Sequence, residues 1–110
     1  MNAEIRTQVF DVDSSNFEQE VLQGSQERVI VVDFWAPWCG PCRTLGPLLE
    51  EVVKSLGPGI ALAKVIVDEN QDLAVAFRVQ SIPAVKIVKD GRLALTYARR
   101  YAMLAVLNLV

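Results

Sequence analysis

Val29-Ile30-Val31-Val32-Asp33-Phe34-Trp35-Ala36-Pro37-Trp38-Cys39-Gly40-Pro41-Cys42 is the stretch on which the fold turns. Its first six residues form a near-continuous apolar, β-branched run, the pattern of a strand buried on both faces. Beyond the cysteines, Leu45, Leu48, Leu49, Val52, Val53 and Leu56 recur at helical spacing and give one apolar stripe that faces a sheet. Pro41 is tolerated near the start of this helix, where its missing N–H would have no partner anyway. Pro47 predicts a kink, and Gly57-Pro58-Gly59 a stop. Two cysteines are therefore expected at the junction of a buried strand and a long helix.

Outward from this unit, Thr7-Gln8-Val9-Phe10-Asp11 reads as a short first strand. Ser15 followed by Glu18 is a capping-box signature for a helix burying Phe17 and Val21, with Gly24 a left-handed stop. Ile60 to Val67 reads as another buried strand. Asp68 or Asn70 is placed to cap a short helix burying Leu73, Ala74 and Phe77. Strands over Ala84 to Lys89 and Leu93 to Tyr97 flank Asp90-Gly91, a strong hairpin signal. Such alternation predicts an α/β protein whose central sheet is parallel in its first half and antiparallel at the hairpin, with helices on both faces.

The chain of 110 residues is expected to form a single domain over 1–110. A hydrophobic share of 52% and a charged share of 22% match a globular rather than a disordered chain. A net charge of −2 with scattered Lys and Arg speaks against a nucleic-acid partner. No apolar run is long enough for a membrane span, and Met1-Asn2-Ala3-Glu4-Ile5-Arg6 lacks the apolar core of a signal peptide. The cytoplasm is the expected compartment, where a disulfide is more often catalytic than structural. With two cysteines and no histidine, a Cys–His or Ser–His catalytic pair and a Cys₂His₂ or Cys₄ zinc site are excluded within this chain. No metal and no cofactor beyond the cysteine pair itself is expected.

A helix N-terminus carries partial positive charge and unpaired N–H donors, which favour a thiolate over a thiol. Cys39 is placed to be the nucleophile and Cys42, one turn further in, the resolving thiol. Gly40 keeps bulk away from the sulfur. Three other readings compete: a structural disulfide, half of a zinc site completed by carboxylates or another chain, and two inert buried thiols. Against the first, so short a loop gains less than the ~3 kcal/mol of a 15-residue one. Asp33, a carboxylate in an apolar strand, is costly if buried and ionised, so it needs a raised pKa or a partner. It reads as a proton acceptor for Cys42, or else as a solvated strand end. Lys64, in Ala63-Lys64-Val65, is a candidate to temper the Asp33 charge, or an ordinary edge lysine. Ile82-Pro83 precedes a strand and is either a cis turn or a trans entry.

The run from Val32 to Cys42 resembles the active-site segment of the thioredoxin family. Ala63-Lys64, Val67-Asp68, Ser81-Ile82-Pro83 and Lys89-Asp90-Gly91 match later family landmarks in order, so the resemblance spans about residues 5 to 97. It implies a thioredoxin fold, a central mixed five-stranded sheet flanked by four helices. It implies reduction of protein disulfides through a Cys39–Cys42 dithiol cycle, with Asp33 and Lys64 as catalytic support and a thioredoxin reductase as electron donor. It further implies a cis bond before Pro83 facing the cysteines, with the Ile82 backbone pairing to the substrate. Trp38, Gly40, Pro41, Ile82 and Pro83 become the expected substrate-binding residues, with Trp35 packed beneath the motif.

Three places depart from the family pattern. Ala84 stands where threonine is usual, Arg99 stands near a glycine of the substrate groove, and segment 98–110 is atypically apolar. In Tyr101 to Val110 only Asn108 is strongly polar, which leaves three readings: self-association through residues 101–110 or an exchanged tail, which is the expectation adopted, a domain cut from a larger protein, or an atypical terminus. The alternative function is a thioredoxin-like client-binding domain of a chaperone-type protein, with secondary redox activity.

Overall fold

The computed structural model describes residues 7–97. They begin with β1 (Val9–Asp11), a π-helical segment (Glu18–Gln23) and a 3-10 turn (Gly24–Gln26). Then come β2 (Val29–Trp35), α1 (Gly40–Leu56) and β3 (Ile60–Ile66). A second 3-10 turn (Val67–Glu69) leads to α2 (Gln71–Ala76), and the hairpin β4 (Ala84–Lys89) and β5 (Arg92–Tyr97) follows. The five strands form one sheet in the order β1-β3-β2-β4-β5. Pairings β1–β3 and β2–β3 are parallel, and β2–β4 and β4–β5 antiparallel.

Strand β2 lies at the centre and is buried along most of its length. Successive side chains point to opposite faces. Ile30, Val32 and Phe34 enter one core with Phe17, Val21, Ala63, Val65 and Val88. Val31 enters the other, with Leu62, Val85 and Val53 of α1. The first core is closed by aromatic rings: Phe77 meets Phe17 and Phe34 at centroid separations of 5.4 and 5.7 Å. On the second face α1 lies across the sheet through Leu45, Leu49 and Val53.

Local chemistry sets the junctions. Gly57 ends α1 at φ +92°, a conformation cheap only for glycine. The Gln8 side-chain amide donates to the Val53 and Gly57 carbonyls, tying the chain before β1 to the end of α1. Asp90 and Gly91 both have positive φ, 57° and 77°, as a two-residue hairpin turn with the twist of its strands demands.

Several expectations give way. Ser15 does not cap a helix. Its N–H and hydroxyl donate to the Asp13 carboxylate, which holds that carboxyl below its usual range, and the helical segment has no side-chain cap. Gly24 is right-handed at φ −59° because the helix tightens into a 3-10 turn there instead of stopping. Leu48, Val52 and Leu56 are exposed, since only the Leu45–Leu49–Val53 edge of the apolar stripe reaches the sheet. Asn70 precedes α2, but its side chain serves other partners, accepting from the Ser14 N–H and donating to the Ile66 carbonyl. The expectations for Arg99, segment 98–110 and self-association through 101–110 lie outside the described residues.

Helix α2 closes with paired hydrogen bonds, Val79 N–H to the Ala74 carbonyl and Arg78 N–H to that of Val75. This closure places Arg78 at φ +55°, the position that glycine normally fills. Arg78→Gly should therefore raise stability by about 1 kcal/mol, the left-handed penalty of a side chain with a Cβ. Urea unfolding of the two proteins checks this, and a lower midpoint for the variant would refute it.

Candidate active site

The chain leaves β2 at Trp35 and turns into α1 through Cys39, whose N–H donates to the Ala36 carbonyl. Cys39 is the N-cap of α1, and its Sγ accepts the Cys42 N–H at 3.2 Å. The two cysteines form a disulfide with their Cα atoms 5.3 Å apart. Both are nearly buried, Cys39 at 6% exposure and Cys42 at 2%. They form a small apolar cluster with Ala36, against which Trp35, Val67 and Ile82 pack. Gly40 and Pro41, between them on the first turn of α1, are exposed.

Beside the cysteines a groove of about 380 Å³ is lined by Trp38, Val67, Ala74, Val79, Gln80, Ser81 and Ile82. Trp38 is 66% exposed, an unusual position for an indole, and its Nε1–H donates to the Asp68 carboxylate at 2.6 Å. Ile82 belongs to both groove and cysteine cluster, and the Ile82–Pro83 bond is cis. The groove is thus an apolar trough that shares Val67 and Ile82 with the cysteine cluster.

On the α1 side of the sheet lies a charged layer. Asp33 is 1% exposed, and neither carboxylate oxygen has a hydrogen-bond partner. Burial pushes its pKa up to about 6, against the pull of Lys64 and with a smaller push from Glu50. Lys64 is the in-register neighbour of Asp33 on β3. Its ammonium nevertheless pairs with Glu50 of α1 at 3.4 Å and stands 4.9 Å from the Trp35 ring centroid. The structure thus brings Cys39, Cys42, Trp35 and Ile82 together, and sets Trp38 with Ile82 on one groove. It places Asp33 in the interior rather than at a solvated strand end.

Glu50 carries no functional signal in the sequence, and Asp68 stands there only as a candidate cap and part of a family landmark. Glu50 reads as one of two solvated acids in Glu50-Glu51, and only its position four residues after Gly46 hints at a cleared space. Asp68 reads as a cap residue. Among the described residues, no group of three or more His, Cys, Asp or Glu could hold a metal ion. No helix among them is long and apolar enough to cross a membrane.

The family model of thioredoxin matches residues 8–105. The chain belongs to the thioredoxin family. It is 42% identical over 79 residues to thioredoxin of Bacillus subtilis, covering 72% of this chain and 76% of that one. It is 41% identical over 88 residues to thioredoxin of Listeria monocytogenes, covering 80% and 82%. The crystal structure of Malassezia sympodialis thioredoxin superposes with a TM-score of 0.72 at 31% identity, over 83% of this chain and 78% of that one. The five-stranded mixed sheet is accordingly a thioredoxin fold, and Cys39–Cys42 is the redox-active pair of a thiol–disulfide oxidoreductase. Thioredoxins carry their reducing equivalents on the cysteines, act on protein disulfides and generally need no cofactor.

The burial of Asp33 has a consequence for stability. Because its folded pKa of about 6 lies above the ordinary 3.8 of an aspartate, the folded form holds this proton more tightly than the unfolded chain. The associated stability is present below pH 3.8 and is lost as pH rises through 6, a cost of about 3 kcal/mol at neutrality. Asp33→Asn should be the more stable protein at pH 7.5 by up to that amount, and lose most of the advantage at pH 4. Chemical denaturation at the two pH values tests this; an equal difference at both would contradict it.

Proposed function

We propose that this thioredoxin-like domain, taken as one unit over 1–110, reduces protein disulfides with Cys39 as attacking and Cys42 as resolving thiol. The Cys39 sulfur carries the assignment. It caps α1 and accepts a backbone N–H there, so negative charge at that atom is favoured by the local donor and the helix dipole. In the reduced protein the Cys39 thiolate attacks one sulfur of a substrate disulfide, releases the other as a thiol, and forms a mixed disulfide. Cys42 then attacks the Cys39 sulfur. The second substrate thiol departs, and the Cys39–Cys42 bond forms. Two electrons pass from the dithiol to the substrate.

For the second attack Cys42 must lose a proton, and Asp33 is the acceptor in this scheme. A carboxyl titrating near 6 can take a proton at neutral pH and return it within the cycle. The substrate chain lies along the groove between Trp38 and Ile82-Pro83, with the apolar walls taking the residues beside its disulfide. Gly40 and Pro41 leave the approach to Cys39 open, and Trp35 supports the pair from below. A thioredoxin reductase returns the electrons, and the cytoplasm is the compartment in which this reducing cycle runs.

Insulin reduction driven by NADPH and a thioredoxin reductase, with dithiothreitol as a parallel driver, tests the scheme. Cys39→Ser should reduce turnover to background, whereas Cys42→Ser should accumulate a mixed disulfide visible by non-reducing electrophoresis. Asp33→Asn should slow turnover by 10²-fold or so, the scale of one general base. Undiminished turnover by Cys39→Ser would end the assignment of the nucleophile.

A further inference from the structure

Asp33 and Lys64 occupy adjacent, in-register positions on β2 and β3, with side chains on the same face of the sheet. Opposite charges so placed ordinarily pair. Here they do not: both Asp33 oxygens lack a partner, and Lys64 gives its ammonium to Glu50 instead. Two features of α1 produce this outcome. At Gly46 the helix has no side chain, and a Cβ there would stand 3.3 Å from Lys64 Nζ, so the ammonium occupies space that the glycine leaves. One turn later Glu50 meets it, with its side chain 35% exposed against 16% for Lys64. The Trp35 ring supports the same position from its face.

We propose that Glu50 is a positioning residue of the redox site: by holding the Lys64 ammonium on the α1 side, it keeps that cation off the Asp33 carboxylate and leaves Asp33 free to accept a proton. The proposal deepens the role given to Asp33 above and rests on it for its catalytic meaning. The groups that bear on Asp33 can be named element by element. Lys64 faces it from β3 and Glu50 from α1, and its in-register neighbour on β4 is the uncharged Val85. Asp11, on β1, is the neighbour of Lys64 on the far side and is exposed. Of the two charges that act on Asp33, Lys64 acts more strongly than Glu50. Moving the lysine therefore matters more than removing the glutamate's own repulsion.

The test reads Asp33 directly, by NMR titration of its carboxyl carbon in the oxidised protein, for the parent chain, Glu50→Gln, Lys64→Met and the double variant. Freed from Glu50, Lys64 should turn to Asp33, the buried one of its two in-register carboxylates, and the Asp33 midpoint should fall by about one unit, the lower end of the effect of a neighbouring cation. In the Lys64→Met background, Glu50→Gln should move the midpoint by less than half as much, because the cation through which it acts is gone. No resolvable shift on Glu50→Gln, or a shift retained by half or more without Lys64, overturns the proposal. The acid limb of the pH–rate profile for insulin reduction should move with the Asp33 midpoint. If the midpoint moves and the profile of Glu50→Gln does not, the proton-acceptor role of Asp33 fails while the control of Lys64 by Glu50 stands.

Discussion

A strand buried on both faces has no solvent side on which to place a polar group, and β2 lives under this constraint from Ile30 to Phe34. It must be covered by a helix on each side and paired on each edge, and the mixed sheet with α1 on one face and α2 on the other satisfies all four demands. It also delivers the chain at its C-terminal end directly into α1, so the cysteines sit where a rigid strand stops and a helix dipole begins. Chemistry at Cys39 is thereby fixed beside the central, buried strand of the sheet. Asp33 is the exception within the strand. Its cost is tolerated because the strand is held by apolar contacts on every other residue, and burial pushes the pKa of this carboxyl up to about 6.

Much of this was legible in the residues. The run from Val29 to Cys42 announces a doubly covered strand, a turn and a helix start, and it is also what resembles the family. Asp90-Gly91 places the hairpin because few residue pairs accept two successive positive φ values. What could not be read depends on relations between distant elements. Whether Asp33 is solvated or interior is decided by α1 lying over it. Whether Lys64 meets Asp33 or Glu50 depends on the space left by Gly46, a glycine that in sequence alone has many explanations. The capping box fails for a similar reason, since the Ser15 N–H and hydroxyl both donate to Asp13 two residues earlier. The apolar face of α1 was over-read because helical periodicity gives the direction of a stripe but not how much of it a sheet will cover.

Trp38 shows how the groove is assembled from elements that share little else. The indole belongs to the turn before α1, its hydrogen-bond partner Asp68 to the 3-10 turn after β3, and Ile82 to the approach to β4. A single polar contact between two exposed side chains contributes modestly to stability. Its role here is orientation: it sets the plane of a large apolar surface that would otherwise be free to rotate beside the sulfur atoms.

The opposite end of the sheet has no chemistry, yet it bears on the groove. Ser25 is fully buried, its hydroxyl donates to the Leu22 carbonyl and accepts the Gly91 N–H, and its carbonyl accepts the Asp90 N–H. The hairpin turn is thus latched to the helical layer. Because β4 runs antiparallel to β2, a latch at Asp90-Gly91 fastens the far end of the strand that Ile82-Pro83 enters. β4 works as a ruler clamped at one end: the distance from Ser25 to the groove is a fixed number of residues, and a residue gained or lost between Ala84 and Lys89 would shift the Ile82 wall along the cysteines by one strand rise, about 3.4 Å. The half of the molecule remote from the sulfur atoms is where the length of its binding surface is measured out.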